Sequence, residues 1–481
     1  MAAGPIILWY RNDLRLMDLP SLAAACATGQ PILPVYILDT HWPGQRVLGG
    51  ASQWWLHHSL EKLQANWQEH GGKLLLKRGD PLVILQELTD EVGASGVYCS
   101  RAYEPWAGEL EKSLHTALSE RDIALKRYGG SLLHDPDHLT TKAGQPFKVY
   151  TPFWRALSQQ DVRSPVDGPA DINVAHIAVE NEDLDDWALL PTRPDWAGGL
   201  RDSWVPGEGA ARQRLKQFLG EDAFAYATER DRPDLPATSR LSPHLRFGEI
   251  SPAVCWHAAA LEAAKRPQAE TDLEVFRKEL VWRDFSYHLL YHWPSLPDTA
   301  FRDNFNAFPW QDNDEVRTAW QKGQTGYPIV DAGMRELWHT GWMHNRVRMI
   351  VASFLTKHLL QPWQAGEAWF WDCLVDADLA SNAASWQWVA GSGADAAPYF
   401  RIFNPITQGE KFDPEGAYVR RWVPELAALP NRYLHAPWTC PELELRSLDI
   451  VLGQTYPEPI VDHPMARQRA LASYEQVKVR R

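Results

Sequence analysis

The sequence predicts an α/β N-terminal domain, a parallel sheet with crossover helices, followed by an all-α C-terminal domain. Three observations lead there. Over the first 130 residues, short apolar runs of strand length alternate with helix-length stretches. From about 131 to 205 the chain is rich in Pro, Asp and Gly and loses its periodicity. Beyond 206 the pattern is mostly helical. The expected division is therefore 1–130, a linker at 131–205, and 206–481, within the two or three domains that 481 residues allow.

In the N-terminal part, apolar runs at 5–9, 32–38, 73–76, 96–99 and 123–125 predict five strands. Between them, 20–28, 51–69, 81–91 and 106–120 predict crossover helices. This half carries neither a Walker P-loop nor a GxGxxG after a strand, which excludes the common dinucleotide and nucleotide sites. In the C-terminal part, two helices stand out, at about 271–292 and 341–360.

Composition narrows the function. No apolar run approaches the roughly 20 residues that span a bilayer, so no membrane is expected. The five cysteines (Cys26, Cys99, Cys255, Cys373, Cys440) are scattered and never spaced as CxxC. That argues against disulfides and zinc, so no metal is expected, and it fits a reducing cytoplasm. A net charge of −13 speaks against nucleic-acid binding by the whole surface, so any such contact must be a local basic patch. Tryptophan is abundant: of 24, thirteen fall between residues 275 and 440.

On the first C-terminal helix, Glu279, Trp282, Arg283 and Ser286 sit at i, i+3, i+4 and i+7 and share a face. On the second, Asn345 and Met349 lie one turn apart, with Arg346 beside Asn345. A glutamate, an asparagine, a methionine and a tryptophan together suit a flat heterocycle with polar edges. The same spacing also describes ordinary amphipathic helices with one tryptophan in the core. Further on, Asp376, Asp378 and Asn382 stand close together, and Trp386 and Trp388 follow. Upstream, Thr238-Ser239-Arg240-Leu241-Ser242 before Pro243 offers hydroxyls and backbone N–H groups suited to a diphosphate, or to a simple N-cap.

Taken in order, several segments resemble one family. They are Trp9-Tyr10-Arg11-Asn12-Asp13-Leu14-Arg15-Leu16, Thr238-Ser239-Arg240-Leu241-Ser242-Pro243, Glu279-Leu280-Val281-Trp282-Arg283-Asp284-Phe285, Thr325-Gly326-Tyr327-Pro328, Gly341-Trp342-Met343-His344-Asn345-Arg346 and Trp386-Gln387-Trp388. The chain resembles the photolyase/cryptochrome family nearly end to end, and within it the class I cyclobutane pyrimidine dimer photolyases. One departure is visible: Asn382-Ala383-Ala384-Ser385 stands where many class I members have Asn-Asn-Gly-Gly.

The resemblance implies a helical FAD-binding domain and light-driven repair of ultraviolet-damaged DNA, single- or double-stranded, by electron transfer from reduced anionic FAD to a flipped-out lesion. The rival reading is a cryptochrome-type photoreceptor without repair. By match, Tyr226, Thr238, Ser239, Arg240, Leu241 and Ser242 would flank the cofactor phosphates. Arg283, Asn345, Asp376, Asp378 and Asn382 would surround its rings, with Asn382 facing flavin N5. Glu279, Trp282, Asn345, Met349 and Trp388 would form the lesion pocket, Glu279 bonding the pyrimidine edges. Arg346, Arg401 and Lys411 would meet the flanking phosphates. Trp386, Trp363 and Trp310 would carry electrons to the flavin. A second antenna chromophore, of folate or deazaflavin type, is suggested by Tyr103-Glu104-Pro105-Trp106. A monomer is the expected state.

Overall fold

The computed structural model describes residues 4–396 and 400–478. Its N-terminal sheet has five parallel strands: β1 (Ile6–Tyr10), β2 (Ile32–Asp39), β3 (Leu75–Gly79), β4 (Gly96–Ser100) and β5 (Ala124–Tyr128), in the order β3-β2-β1-β4-β5. The crossovers are α1 (Pro20–Cys26), α2 (Gly50–Glu69), α3 (Pro81–Val92) and α4 (Pro105–Ser119). The central strand β1 is buried along its whole length, as a parallel strand covered on both faces must be. Ile7, Trp9, Leu33, Val35, Val97 and Cys99 meet Leu85, Leu88, Leu110, Leu114 and Leu118 of α3 and α4 in one core. On the opposite pleat, the Trp67 indole of α2 donates to the Tyr10 hydroxyl at 3.2 Å.

The outer strands run further than the apolar runs at 73–76 and 123–125. Lys77 and Arg78 continue β3, and Lys126 and Arg127 continue β5. Both are edge strands, where a charged side chain reaches water and discourages pairing with another chain. α3 shows local sequence control: Asp80 accepts from Leu82 N at 2.8 Å, Pro81 opens the helix, and Gly93 ends it at φ 61°.

The segment 131–205 holds short pieces only, among them the helix Tyr150–Leu157 and the 3-10 turn Asp185–Trp187. It is nevertheless fastened to the sheet: Asn181 Oδ1 accepts from Leu76 N at 2.6 Å, and Ala175 N donates to Ile32 O at 2.9 Å.

By contacts the chain forms two compact units. One comprises Met1–Trp196, Trp204–Phe224 and Ser239–Pro294; the other comprises Ala197–Ser203, Ala225–Thr238 and Ser295–Arg481. These limits run at neither 130 nor 205. The first unit takes in the long helix Glu270–His292, because this helix packs on Pro252–Lys265 and on Tyr150–Leu157. The second unit is helical.

The segment 341–360 is shorter as a helix than its pattern predicts. Gly341, at φ 66°, closes the helix Pro328–Thr340, and a new helix, Asn345–Ser353, begins at a His344 N-cap and passes into a π-turn over Phe354–His358. Among the described residues, no helix is long and apolar enough to cross a membrane, and all five cysteines are free.

Candidate functional site

The predicted site residues fall in both units, and each unit assembles its own share. In the first unit, Glu279, Trp282 and Arg283 are half-buried on the helix Glu270–His292. Trp282 lies flat against Tyr150, with ring centroids 3.6 Å apart and planes within 4°. The Tyr150 hydroxyl donates to Lys278 O at 2.8 Å, so the ring that backs Trp282 is itself anchored. Arg283 donates to Ser131 O at 2.7 Å and lies over the Tyr287 ring. Ser286 turns inward and donates to Trp282 O at 3.0 Å.

The 239–242 segment is a tight bend. Arg240 takes a left-handed φ of 50° and stacks its guanidinium 4.3 Å from the Trp204 ring. Ser239 Oγ accepts from Leu241 N at 3.4 Å, Leu241 is buried, and Ser242 is exposed at the start of the helix Ser242–Arg246. The N-cap position there is Leu241 and makes no side-chain capping bond, so the simple-cap reading of these hydroxyls does not hold at Ser242.

In the second unit, Asp376, Asp378 and Asn382 are buried together at the start of the helix Leu379–Ala390. Asp378 caps that helix, accepting from Ser381 N at 2.7 Å. Asp376 Oδ2 accepts from Arg348 at 2.9 Å, while its Oδ1 is buried with no partner. The Asn382 amide nitrogen donates to Glu367 O at 3.0 Å and to Glu367 Oε1 at 2.8 Å. Both donor hydrogens are thereby committed, so the amide oxygen is the atom left to accept from a ligand.

Residues 383–385 lie inside the regular helix, with Ala383 fully buried. Alanine suits a helix interior where glycine would weaken it.

Trp386 is buried between Phe370, at 4.9 Å, and Trp320, at 6.2 Å, and its indole Nε1 has no partner. Trp363 is buried at the first position of the helix Trp363–Cys373, which packs on the helix bearing Trp386. Trp310 is half-buried, its ring 4.2 Å from Phe308. Trp388 donates to Asp395 O at 3.1 Å. Tyr226 is buried and opens the short helix Tyr226–Glu229, with the Arg230 guanidinium over its ring; Thr238 is half-buried.

Asn345 is exposed and Met349 half-buried on one side of the helix Asn345–Ser353. Arg346 and Lys411 approach the same Phe412 ring, at 4.6 and 5.0 Å. Lys411 and Arg401 are exposed. Arg346 is less free than its sequence role suggests, because it forms an ion pair with Asp231 at 2.5 Å. Burial pushes the neighbouring His344 down to about 4, so this ring adds no charge to the arginines around it at neutral pH.

Three partners have little trace in the sequence. Glu367 is an acid inside the apolar stretch Trp363–Cys373, and that anomaly is its one signal. Asp231 stands 115 residues before Arg346, and Tyr150 stands 132 before Trp282, too far for any periodicity to link them.

A model of the FAD binding domain of DNA photolyase matches residues 276–476, and a DNA photolyase model matches 6–170. A deoxyribodipyrimidine photo-lyase of Agrobacterium fabrum is 51% identical, with 99% of each chain covered. Among solved structures, a bacterial class III photolyase from Agrobacterium tumefaciens superposes with a TM-score of 0.96 at 51% identity, covering 99% of this chain and 98% of the other. An archaeal photolyase from Sulfolobus tokodaii, solved with two FAD molecules, has a TM-score of 0.83 at 28% identity, covering 98% of this chain and all of the other. The half-identical solved relative is of class III, which corrects the expected likeness to class I. The departure noted in the sequence, Ala384-Ser385 where many class I members have two glycines, agrees with that correction.

Proposed function

Because the chain belongs to the photolyase/cryptochrome family, we propose that it is a light-driven enzyme of the class III type that reopens cyclobutane pyrimidine dimers in DNA. The observation that carries this reading is Asn382, whose amide is oriented by buried Glu367 so that its oxygen serves as acceptor. An acceptor held this way suits the N–H edge of a reduced flavin.

The residues fit FAD. Asp376 Oδ1 and Trp386 Nε1 are buried polar atoms without protein partners, the kind of orphan that a bound ligand satisfies. By their match to the family, Tyr226, Thr238, Ser239, Arg240, Leu241, Ser242, Arg283, Asp376, Asp378 and Asn382 would hold it, and Asn345 is counted with them. When bound, FAD supplies light absorption and a single transferable electron.

The chain's own residues do the rest. Glu279 bonds the pyrimidine edges, and Trp282, stiffened by Tyr150, offers a rigid apolar wall. Trp388, Asn345 and Met349 complete the lesion set. Arg346, Arg401 and Lys411 position the flanking phosphates. Trp386, Trp363 and Trp310 relay electrons that keep the flavin reduced. The partner is ultraviolet-damaged DNA, single- or double-stranded, bound by a cytoplasmic monomer. The three-part division into an antenna-binding α/β part, a linker and a helical catalytic part is the functional one. A second, light-harvesting chromophore is part of this reading; the two FAD molecules of the Sulfolobus photolyase support one without fixing its type.

The test is repair in light. Chemically reduced, FAD-loaded protein is mixed with DNA carrying cyclobutane dimers, and half is illuminated with blue light. Dimers should disappear in the lit half alone. Dimers untouched in light, with normal flavin photoreduction, would make the chain a photoreceptor of cryptochrome type.

A further inference from the structure

Well away in sequence from every residue assigned above, α2 carries a cluster with no role in repair. His57, His58 and Glu61 occupy positions i, i+1 and i+4 of this helix, so that all three side chains project from neighbouring points on its surface. Their ligand atoms, one from each residue, lie within 4.8 Å of one another. Beside this group of three, Asp185 in the 3-10 turn Asp185–Trp187 brings its Oδ1 to 3.8 Å from His57 Nε2.

The state of His57 makes this more than a surface ion pair. It is 3% exposed, yet neither ring nitrogen has a partner at hydrogen-bond length. Nδ1 is buried and alone. Nε2 faces Glu61 Oε1 at 3.6 Å and Asp185 Oδ1 at 3.8 Å. Those separations are too long for a hydrogen bond. They are close to the spacing of two donors on one tetrahedral ion, about 3.3 Å for metal–ligand bonds of about 2.0–2.1 Å.

We propose that His57, His58, Glu61 and Asp185 bind one divalent transition-metal ion of the zinc class. Two imidazoles and two carboxylates make a borderline N/O set, which favours zinc-like ions over magnesium or calcium. His58 Nδ1 and Glu61 Oε2 lie 2.6 Å apart in a hydrogen bond. The ion would take the place of that hydrogen bond, with the hydrogen of the neutral His58 ring moving to Nε2. With the ion in place, the connector bearing Asp185 is tied to α2.

The experiment uses the full-length, FAD-loaded protein stripped with chelator and then titrated with zinc chloride by calorimetry. Cobalt(II) serves as a second probe, because its visible absorption is intense only in a tetrahedral site. Wild type should take up one saturable equivalent above the weak background of its other histidines and melt at a higher temperature with zinc present. His57→Ala and Glu61→Gln should each weaken that equivalent at least about tenfold, the lower end of what losing even an outer-shell partner costs. Asp185→Asn should weaken it too and remove the rise in melting temperature. Glu61 is half exposed, so Glu61→Gln keeps the test open if His57→Ala fails to fold. Absence of a saturable equivalent in wild type, or its persistence in Glu61→Gln, overturns the site.

Discussion

At the scale of single residues, Arg346 shows how a proposed DNA contact can be held in reserve. Its guanidinium is steadied on Phe412 and paired with Asp231. A DNA phosphate reaching Arg346 must therefore displace a carboxylate that already occupies it. A partly exposed pair of this kind is worth roughly 0.2–1 kcal/mol, so Asp231→Asn should tighten DNA binding by up to about fivefold. Phosphate contacts carry no lesion information. Fluorescence anisotropy should thus show damaged and undamaged duplexes tightening by the same factor. Weaker binding in Asp231→Asn would mean that Asp231 aims Arg346 rather than competing for it. The sequence exposed Arg346, which sits inside a motif, but not its competitor, since an ion pair across 115 residues leaves no local pattern. Asn382 and Glu367 tell the same story. The asparagine was legible and the acid that orients it was not, because their contact depends on two helices packing.

At the scale of elements, the helix Glu270–His292 was placed to within one residue by its pattern, yet its environment was only half read. The spacing of Glu279, Trp282, Arg283 and Ser286 also suited an ordinary amphipathic helix with one tryptophan in the core and its polar groups in water. Instead residues 284–290 are buried without a break, because this helix is covered on several sides. Two titratable groups are trapped there, one turn apart. His288 Nε2 accepts from Phe147 N at 2.9 Å, and burial pushes the ring down to about 4. Asp284 Oδ2 accepts from Leu133 N and His134 N, and burial pushes its carboxyl up to about 7.

Their effects on stability have opposite signs. As pH falls from 6.5 to about 4, an unfolded histidine takes a proton that folded His288 refuses, and stability is lost. As pH rises from 3.8 to about 7, an unfolded aspartate gives up a proton that folded Asp284 keeps, and stability is also lost. Between about 4 and 6.5 the two slopes cancel. Asp284→Asn keeps an acceptor for the two backbone N–H groups and removes one slope. Its stability should therefore climb with pH across that window more steeply than wild type, by up to about 1.4 kcal/mol per pH unit. Urea midpoints at several pH values would measure this; parallel curves for the two proteins would refute the pairing.

At the scale of the whole molecule, the governing quantity is a net charge of −13 on a chain that binds a polyanion. A body of that sign repels DNA at long range, so affinity must come from a few well-placed cations and from the lesion itself. Composition made this requirement legible, but it could not say which of 48 basic residues serve. Among the described residues, many arginines are spent on internal pairs, as Arg163 is on Asp18 and Arg335 is on Glu425. Of the proposed contacts, Arg401 and Lys411 are exposed and Arg346 is available once Asp231 yields. Three phosphates neutralised on a duplex give a slope of log affinity against log salt of about −2.7, at about −0.9 per phosphate. Arg401→Ala and Lys411→Ala should each flatten that slope by about 1 while leaving the preference for damaged over undamaged DNA unchanged. A wild-type slope several units steeper would require a larger cationic surface than these three residues supply. A slope untouched by either substitution would remove that residue from the DNA interface.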